Sequence, residues 1–307
     1  MTETDVRWTV AQRYEFIEWR AYWTGRINRK DLEAQFQIST PQASVDLRDY
    51  QQAAPGNIEY DPSEKAYVAT RDFRPVFMKL SPERYLLQLH AIESGAIRQR
   101  DTWFDKVPPV EVAPPIARGP EAYTLRAIVK AIETRSAIDV FYQSLSRTGR
   151  RTICPHALVH DGYRWHCRAF SVERNEFRDY VLGRVLSFWP LTPCDVDSSD
   201  DVEWTTEFEL RLRAHPDLGP DQRAAIEHDY RMEDGLLRLK MRLAVAFYFV
   251  KRQNLDLQGK DIPPERIQLW LENLEDLETA NKAAKERSRL LVLQRSPFPS
   301  SQATSRT

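Results

Sequence analysis

The chain has 307 residues, 42% hydrophobic and 29% charged, with a formal net charge of −1; such totals describe a globular protein of two or three domains and exclude fibrous or disordered classes. Its longest apolar run, LAVAFYFV at 243–250, is too short for a bilayer span of about 20 residues, and MTETDVRW lacks a basic-then-apolar leader, so no membrane partner is expected and the cytoplasm is the expected compartment. Three cysteines, odd in number and without CxxC spacing, argue against a disulfide framework.

The small net charge hides a division. Residues 1–74 carry ten basic against twelve acidic side chains, residues 121–190 eleven against seven, and residues 201–280 eleven against seventeen. Ten of the eleven cations in the middle segment are Arg, the residue suited to gripping phosphate or carboxylate with a planar fork. An anionic partner is expected there.

In chain order, TVAQRYEFIEWRAYWTG predicts a first helix, with Thr9 and Gln12 as a capping box and Gly25 as its stop. A second helix starts at Asn28, with Asp31 at its third position, and ends near Gln37. Thr40 is expected to cap a third, with Pro41 in its first turn and Ala43, Leu47 and Tyr50 inward. NIEYDPSEKAYVAT then reads as strand, turn and strand. Short helices followed by such a hairpin describe a winged helix-turn-helix, whose third helix would enter the major groove of duplex DNA. Gln42, Ser44, Val45 and Arg48 would face base edges, with Thr40 at the helix start, and Lys65 and Tyr67 on the wing. The acidic balance of this segment counts against DNA contact.

SPERYLLQLHAIESG predicts a connector helix capped by Ser81. KVPPVEVAPPIARGP, with five prolines between 108 and 120, reads as a stiff spacer. A helix near 121–135 precedes three strands: AIDVFYQSL, TICPHALVH and, across an Asp-Gly turn, YRWHCRAF.

The stretch TICPHALVHDGYRWHCRAF holds three of six histidines and two of three cysteines. Cys154, His156, His160 and His166 could be metal ligands, but Pro155, the absence of ligand spacing and the crowd of Arg150, Arg151, Arg164 and Arg168 argue against a cation, and no cofactor is expected. No GxSxG elbow or cysteine-protease signature supports an enzyme. Trp165 and His166 read as core packing. The polar set Tyr142, Ser144, Ser146, His156, Arg168, Arg178 and Arg184 would suit a phosphate-bearing or nucleic-acid-like effector.

These motifs carry a resemblance. YQSLS, RTICPHALVHDGYRWHCRAF and FRDYVLGRV resemble the WYL domain of bacterial transcription regulators, and the likeness to the CapW/BrxR group extends over about residues 1–290, through STPQASVDL and HPDLGPDQRAAIEHDYRMEDGLLRLKMRLAVAFY. The Trp-Tyr-Leu signature is kept only at Trp165, with His166 and Cys167 following. The resemblance implies an α+β multidomain protein: an N-terminal winged helix-turn-helix, a central Sm-like five-stranded β-sheet and a C-terminal α+β extension. It further implies a homodimer on an inverted-repeat operator, repression of an anti-phage defence operon, and an effector pocket at Tyr142, Ser144, His156, Arg168, Arg178 and Arg184.

The expected divisions are 1–72 for the winged helix, 73–120 for the connector, 121–195 for the sheet domain, 200–290 for the extension and 291–307 for a polar, disordered tail. In the extension TTEFELRLRA and GLLRLKMRL read as strands, GPDQRAAIEHDY and AVAFYFVKRQN as helices, and 263–277 fits either. A non-regulatory protein that senses single-stranded nucleic acid is the alternative, with a nucleotide-processing enzyme behind it. An inverted repeat upstream of the gene, protected by the protein, separates the first two; nucleotide turnover would mark the third.

Overall fold

A computed structural model describes residues 3–113, 119–189 and 192–295. It divides into two compact units, Met1–Ile116 and Ala117–Thr307.

In the first unit α1 (Glu3–Thr24) is followed by β1 (Arg26–Ile27), α2 (Arg29–Phe36) and α3 (Thr40–Ala53), then β2 (Ile58–Asp61), β3 (Ala66–Ala69) and α4 (Pro82–Glu93). Helix α1 begins well before the expected capping box at Thr9, and Gly25 ends it with φ +77°, a left-handed turn that favours glycine. Asn28 caps α2: its Oδ1 accepts from the Lys30 N–H at 2.8 Å, and Asp31 Oδ2 accepts from the Asn28 N–H at 2.7 Å. Ser39, not Thr40, caps α3, its Oγ accepting from the Gln42 N–H. Thr40 is the first helical residue instead.

Ile17, Leu32, Ala43, Leu47 and Tyr50 close the core of the three helices, the Ile and Leu side chains each contributing about 1.5–3 kcal/mol on burial. Strands β1, β3 and β2 pair antiparallel in that order and form the wing. Fully buried Glu18 clamps the chain beyond the wing, its oxygens accepting from the backbone N–H groups of Val76, Phe77 and Met78 at 2.7–2.9 Å. Helix α4 packs by stacking Tyr85 on Trp19.

The second unit opens with α5 (Ala122–Glu133), then β4 (Ser136–Gln143), β5 (Thr148–His160), β6 (Trp165–Ser171), β7 (Glu176–Val181), β8 (Val185–Phe188) and the short β9 (Thr192–Pro193). Their order is β7-β6-β5-β4-β8, all antiparallel, with β9 added at the start of β4. Alternation along the strands sends Ile138, Val140, Ile153, Cys167 and Ala169 against Ile128 and Ala131 of α5. The opposite face carries Cys154, Phe170 and Phe177. Pro155, with no N–H to donate, coincides with a register shift in the β5–β6 ladder.

The remainder is α6 (Val202–Thr205), β10 (Glu207–Ala214), α7 (Pro220–Asp229), β11 (Leu237–Arg242), α8 (Leu243–Arg252), α9 (Pro264–Ile267), β12 (Leu269–Leu271) and α10 (Leu274–Arg295). Strands β11, β10 and β12 form a second sheet, whose Leu210, Leu212, Leu269 and Leu271 share a core with Leu243, Ala246 and Leu277. The ambiguous 263–277 segment holds both periods: a strand at 269–271, then a helix. That helix runs through Arg295, past the expected start of the tail; residues 296–307 lie outside the described residues.

The expectation against a disulfide framework is corrected at one pair. Cys154 and Cys194 form a disulfide, and Cys167 is free and buried. The 40-residue separation hides the pair in sequence, but β5 and β9 both pair with β4 and bring the two cysteines together.

Candidate functional site

On α3 the residues expected to read DNA do not all face outward. Thr40, Gln42 and Arg48 are exposed, while Ser44 and Val45 are half-buried. The Ser44 hydroxyl donates back to the Thr40 carbonyl at 2.9 Å. Gln42 is pre-oriented, its Nε2 donating to Asp46 Oδ1 at 2.9 Å. Asp46 is itself buried and receives Arg13 Nε at 2.6 Å. The Arg13–Asp46 pair therefore ties the outward helix to α1 and turns the Gln42 amide with it. Arg48 rests on half-buried Asp49 at 3.1 Å, a surface pair worth roughly 0–1 kcal/mol that leaves the guanidinium available. Lys65 stands exposed at the wing turn with φ +50°, and Tyr67 packs edge-on against half-exposed Tyr60.

The seven residues assigned to an effector do not converge. Tyr142 is buried on the α5 side of the sheet, where its hydroxyl accepts from the Val181 N–H at 3.0 Å. Ser144 closes the β4–β5 turn, bonding both the N–H and the carbonyl of Arg147, with Ser146 beside it at 3.4 Å. Because Tyr142 pairs with Val185, Arg184 falls beside that turn. Among the described residues neither Arg147 nor Arg184 pairs with a carboxylate, so this end of the sheet carries uncompensated positive charge. Arg178 pairs across from Ala169 and rests on Glu176 at 2.7 Å, away from the turn.

His156 and Arg168 lie on the opposite face, and both turn to Asp201. Arg168 is buried; its Nε and Nη2 donate to the two Asp201 oxygens at 2.7 and 2.8 Å, Nη2 also to Glu203 at 2.8 Å, and Nη1 to Asp179 at 3.3 Å. His156 Nε2 lies 3.0 Å from Asp201 Oδ2. Tyr248 of α8 donates to Asp179 at 2.9 Å, and burial, with Asp179 beside it, pushes that phenol far above its usual range. Burial opposes ionisation of Asp201, but hydrogen bonds from Arg168 and His156 outweigh it and hold its carboxyl below the usual range. Arg168 is thus the strut between the sheet and the C-terminal extension, not a free anion receptor.

Beside this cluster a groove of about 1020 Å³ opens between β7, α8 and α10. Five basic and five acidic side chains line it, so its charge is balanced. Two buried acceptors within it, Asp179 Oδ1 and Asn281 Oδ1, have no partner.

The histidines are dispersed. His160 packs on Trp165, and His166 bonds Asp161 at 2.8 Å. Burial raises the Asp161 carboxyl, yet His166 and the N–H groups of Tyr163 and Arg164 outweigh it and bring it down to about 2. Among the described residues no group of three His, Cys, Asp or Glu side chains could hold a metal, and no helix is long and apolar enough to cross a membrane. Trp165, expected in the core, is 48% exposed because it begins β6 at the hairpin mouth. Sequence reasoning missed Asp179, Asp201, Glu203 and Tyr248; the available signal was the acidic run DSSDDVEW placed after an arginine-rich sheet.

A winged helix followed by a bent antiparallel sheet and an α+β extension defines the class, a winged-helix protein of the WYL type. Three family models match: "BrxR transcriptional regulator winged helix-turn-helix domain" over residues 9–91, "WYL domain" over 123–188, and "BrxR transcriptional regulator, C-terminal dimerization domain" over 207–277. Proteins named DNA-binding transcriptional repressor CapW from Escherichia coli (strain KTE188) and Pseudomonas aeruginosa are each 38% identical over 273 residues, covering 88% of this chain and 91% of theirs. A third, from Stenotrophomonas maltophilia, is 37% identical over 281 residues, covering 89% and 92%. Among solved structures, a proteasome accessory factor B/C chain of Arthrobacter aurescens overlaps at 15% identity with a TM-score of 0.24, too loosely to bear on function; the chain spans about half of its length (48%). The chain belongs to the CapW/BrxR family of WYL-domain transcriptional regulators.

Proposed function

We propose that the protein is a homodimeric, sequence-specific transcriptional repressor. It binds an inverted-repeat operator, controls a phage-defence operon, and is released by an anionic or nucleic-acid-like effector held at the WYL sheet. The observation that carries the reading is the outer surface of α3. Thr40, Gln42 and Arg48 are exposed there, the Gln42 amide is aimed by a buried ion pair, and a wing stands next in the chain. Amide, hydroxyl and guanidinium groups are the chemistry that reads base edges in the major groove. The relatives named as DNA-binding repressors and the dimerisation family model support the same reading. A dimer also answers the acidic balance of the segment, since two half-sites double the contacts.

For the effector, the sheet end that gathers Ser144, Ser146, Arg147 and Arg184 is the better anion seat, because its guanidiniums are unpaired. The face holding His156 and Arg168 is already neutralised by acids. Footprinting on the promoter of the protein's own gene tests the repressor reading: a protected inverted repeat is expected, and Arg48→Ala should weaken its binding by roughly 5- to 150-fold, the span of about 1–3 kcal/mol. Equal affinity for promoter and random duplex at fixed salt would overturn the reading.

A further inference from the structure

The three cysteines sit in different chemistry. Cys167 lies in the core under α5, where burial pushes its thiol far above the usual range, and it is not disulfide-bonded. Cys154 and Cys194 are joined, with Cα atoms 6.3 Å apart, within the span a disulfide needs. Strand pairing alone brings them there. Ile138 pairs with Ile153, while Ala137 and Ser136 pair with Thr192 and Pro193, so both cysteines meet at the first residues of β4. Ala137, Phe170, Phe177 and Val292 enclose the pair; Cys154 is buried and Cys194 half-buried.

What the bond holds is the connector between the two halves of the unit. Beyond Cys194, Asp197 takes Arg295 of α10 at 2.8 Å, and Asp201 receives Arg168 and His156. Strand β9 is only two residues long, a weak anchor for a segment that ends on the central carboxylate of the cluster. We propose that Cys154 and Cys194 are a reversible thiol–disulfide pair, and that its closing fastens the connector 192–201 to the sheet. The more exposed Cys194 thiol attacks a low-molecular-weight disulfide, forming a mixed disulfide and releasing one small thiol. Cys154 then attacks the Cys194 sulfur and releases the second. Two protein thiols are oxidised, one small disulfide is reduced to two thiols, and the two protons leave with them. In a DNA-binding regulator that works among reduced thiols the pair rests open and closes on oxidation, as cytosolic sensing pairs do; this point alone rests on the function proposed above.

The test uses full-length protein equilibrated with oxidised or reduced glutathione, then alkylated after denaturation and weighed intact. One alkylated thiol, Cys167, is expected in the oxidised form and three in the reduced form. The oxidised form should melt roughly 5–10 °C higher, since the bond closes a long loop, and should resist proteolysis within 192–201. Cys194→Ser should abolish these differences, and Cys167→Ala should leave them. Three free thiols, or a lasting glutathione adduct, in oxidising buffer overturns the pair. A bond that forms without moving melting or proteolysis overturns the fastening. Failure to bind any operator in either state would sink the repressor reading and leave these readouts intact.

Discussion

Replacing Arg168 by Met keeps most of its volume and deletes its charge, which isolates what the guanidinium does. In the structure it neutralises Asp201, Glu203 and Asp179, whose side chains are 0%, 8% and 13% exposed; the other basic groups beside them among the described residues are His156, 3.0 Å from Asp201, and Lys285, 3.8 Å from Glu203. Removing one partner of a buried ion pair costs about 3–5 kcal/mol, because the other charge stays buried without compensation. For a unit of this size each kcal/mol moves the melting temperature by roughly 2–4 °C, so a fall of about 10 °C is expected near neutral pH. The orphaned carboxylates would have raised pKa values, so the deficit should shrink as the pH falls through them and they take up protons. Adding Asp201→Asn and Glu203→Gln to Arg168→Met should restore most of the loss. Arg178→Ala is the control: its pair with Glu176 is 43% and 49% exposed and worth roughly 0–1 kcal/mol. Thermal melts of the four proteins near pH 7 and near pH 5 decide the matter. If Arg168→Met melts within about 1 °C of the parent, the strut account fails.

Three further outcomes are expected. Arg184→Ala should leave operator affinity and melting unchanged but reduce effector-induced release in a promoter-reporter strain; full release in the variant would remove Arg184 from the seat. Lys65→Ala should weaken binding to all duplexes alike and lower the slope of log affinity against log salt by about one, whereas a sequence-dependent loss would place Lys65 on a base. Asp161, held down at about 2 against an ordinary value of 3.8, contributes stability that is present above about pH 4 and lost as the pH falls toward its folded value. Asp161→Asn should therefore melt lower near pH 7, the gap closing between about pH 4 and 2; a gap that stays constant with pH would show that the charge is not what matters.

Local signals were legible in sequence wherever one element settles its own shape. The Asn28–Asp31 capping box, the Asp161-Gly162 hairpin and the alternation of Phe208, Leu210 and Leu212 needed no distant partner. Helix ends were misplaced where a neighbour of similar chemistry competes, as Ser39 does with Thr40. Long-range pairs were invisible. Nothing in the spacing of Cys154 and Cys194 reveals two strands flanking a third, and the acidic run after the sheet does not say which of its carboxylates, more than thirty residues away, meet Arg168. The effector set illustrates the same limit. Residue type marked Tyr142, His156 and Arg168 as polar groups on one sheet, but only the register shows that Tyr142 faces α5 while the other two face the extension.

That division of the arginines bears on how an effector could act. A ligand shifts an equilibrium only by its differential affinity for the two states. At the Arg184 end an anion would meet free cations and gain directly. At the Arg168 face it would first have to displace Asp201, breaking charge-assisted bonds that also hold the connector and the extension. Binding there would cost the strut, while binding at the Arg184 end would spare it. Arg168→Met is consequently a poor probe of induction, because a lost response would follow from lost packing. Arg184→Ala, which touches no carboxylate among the described residues, separates sensing from stability.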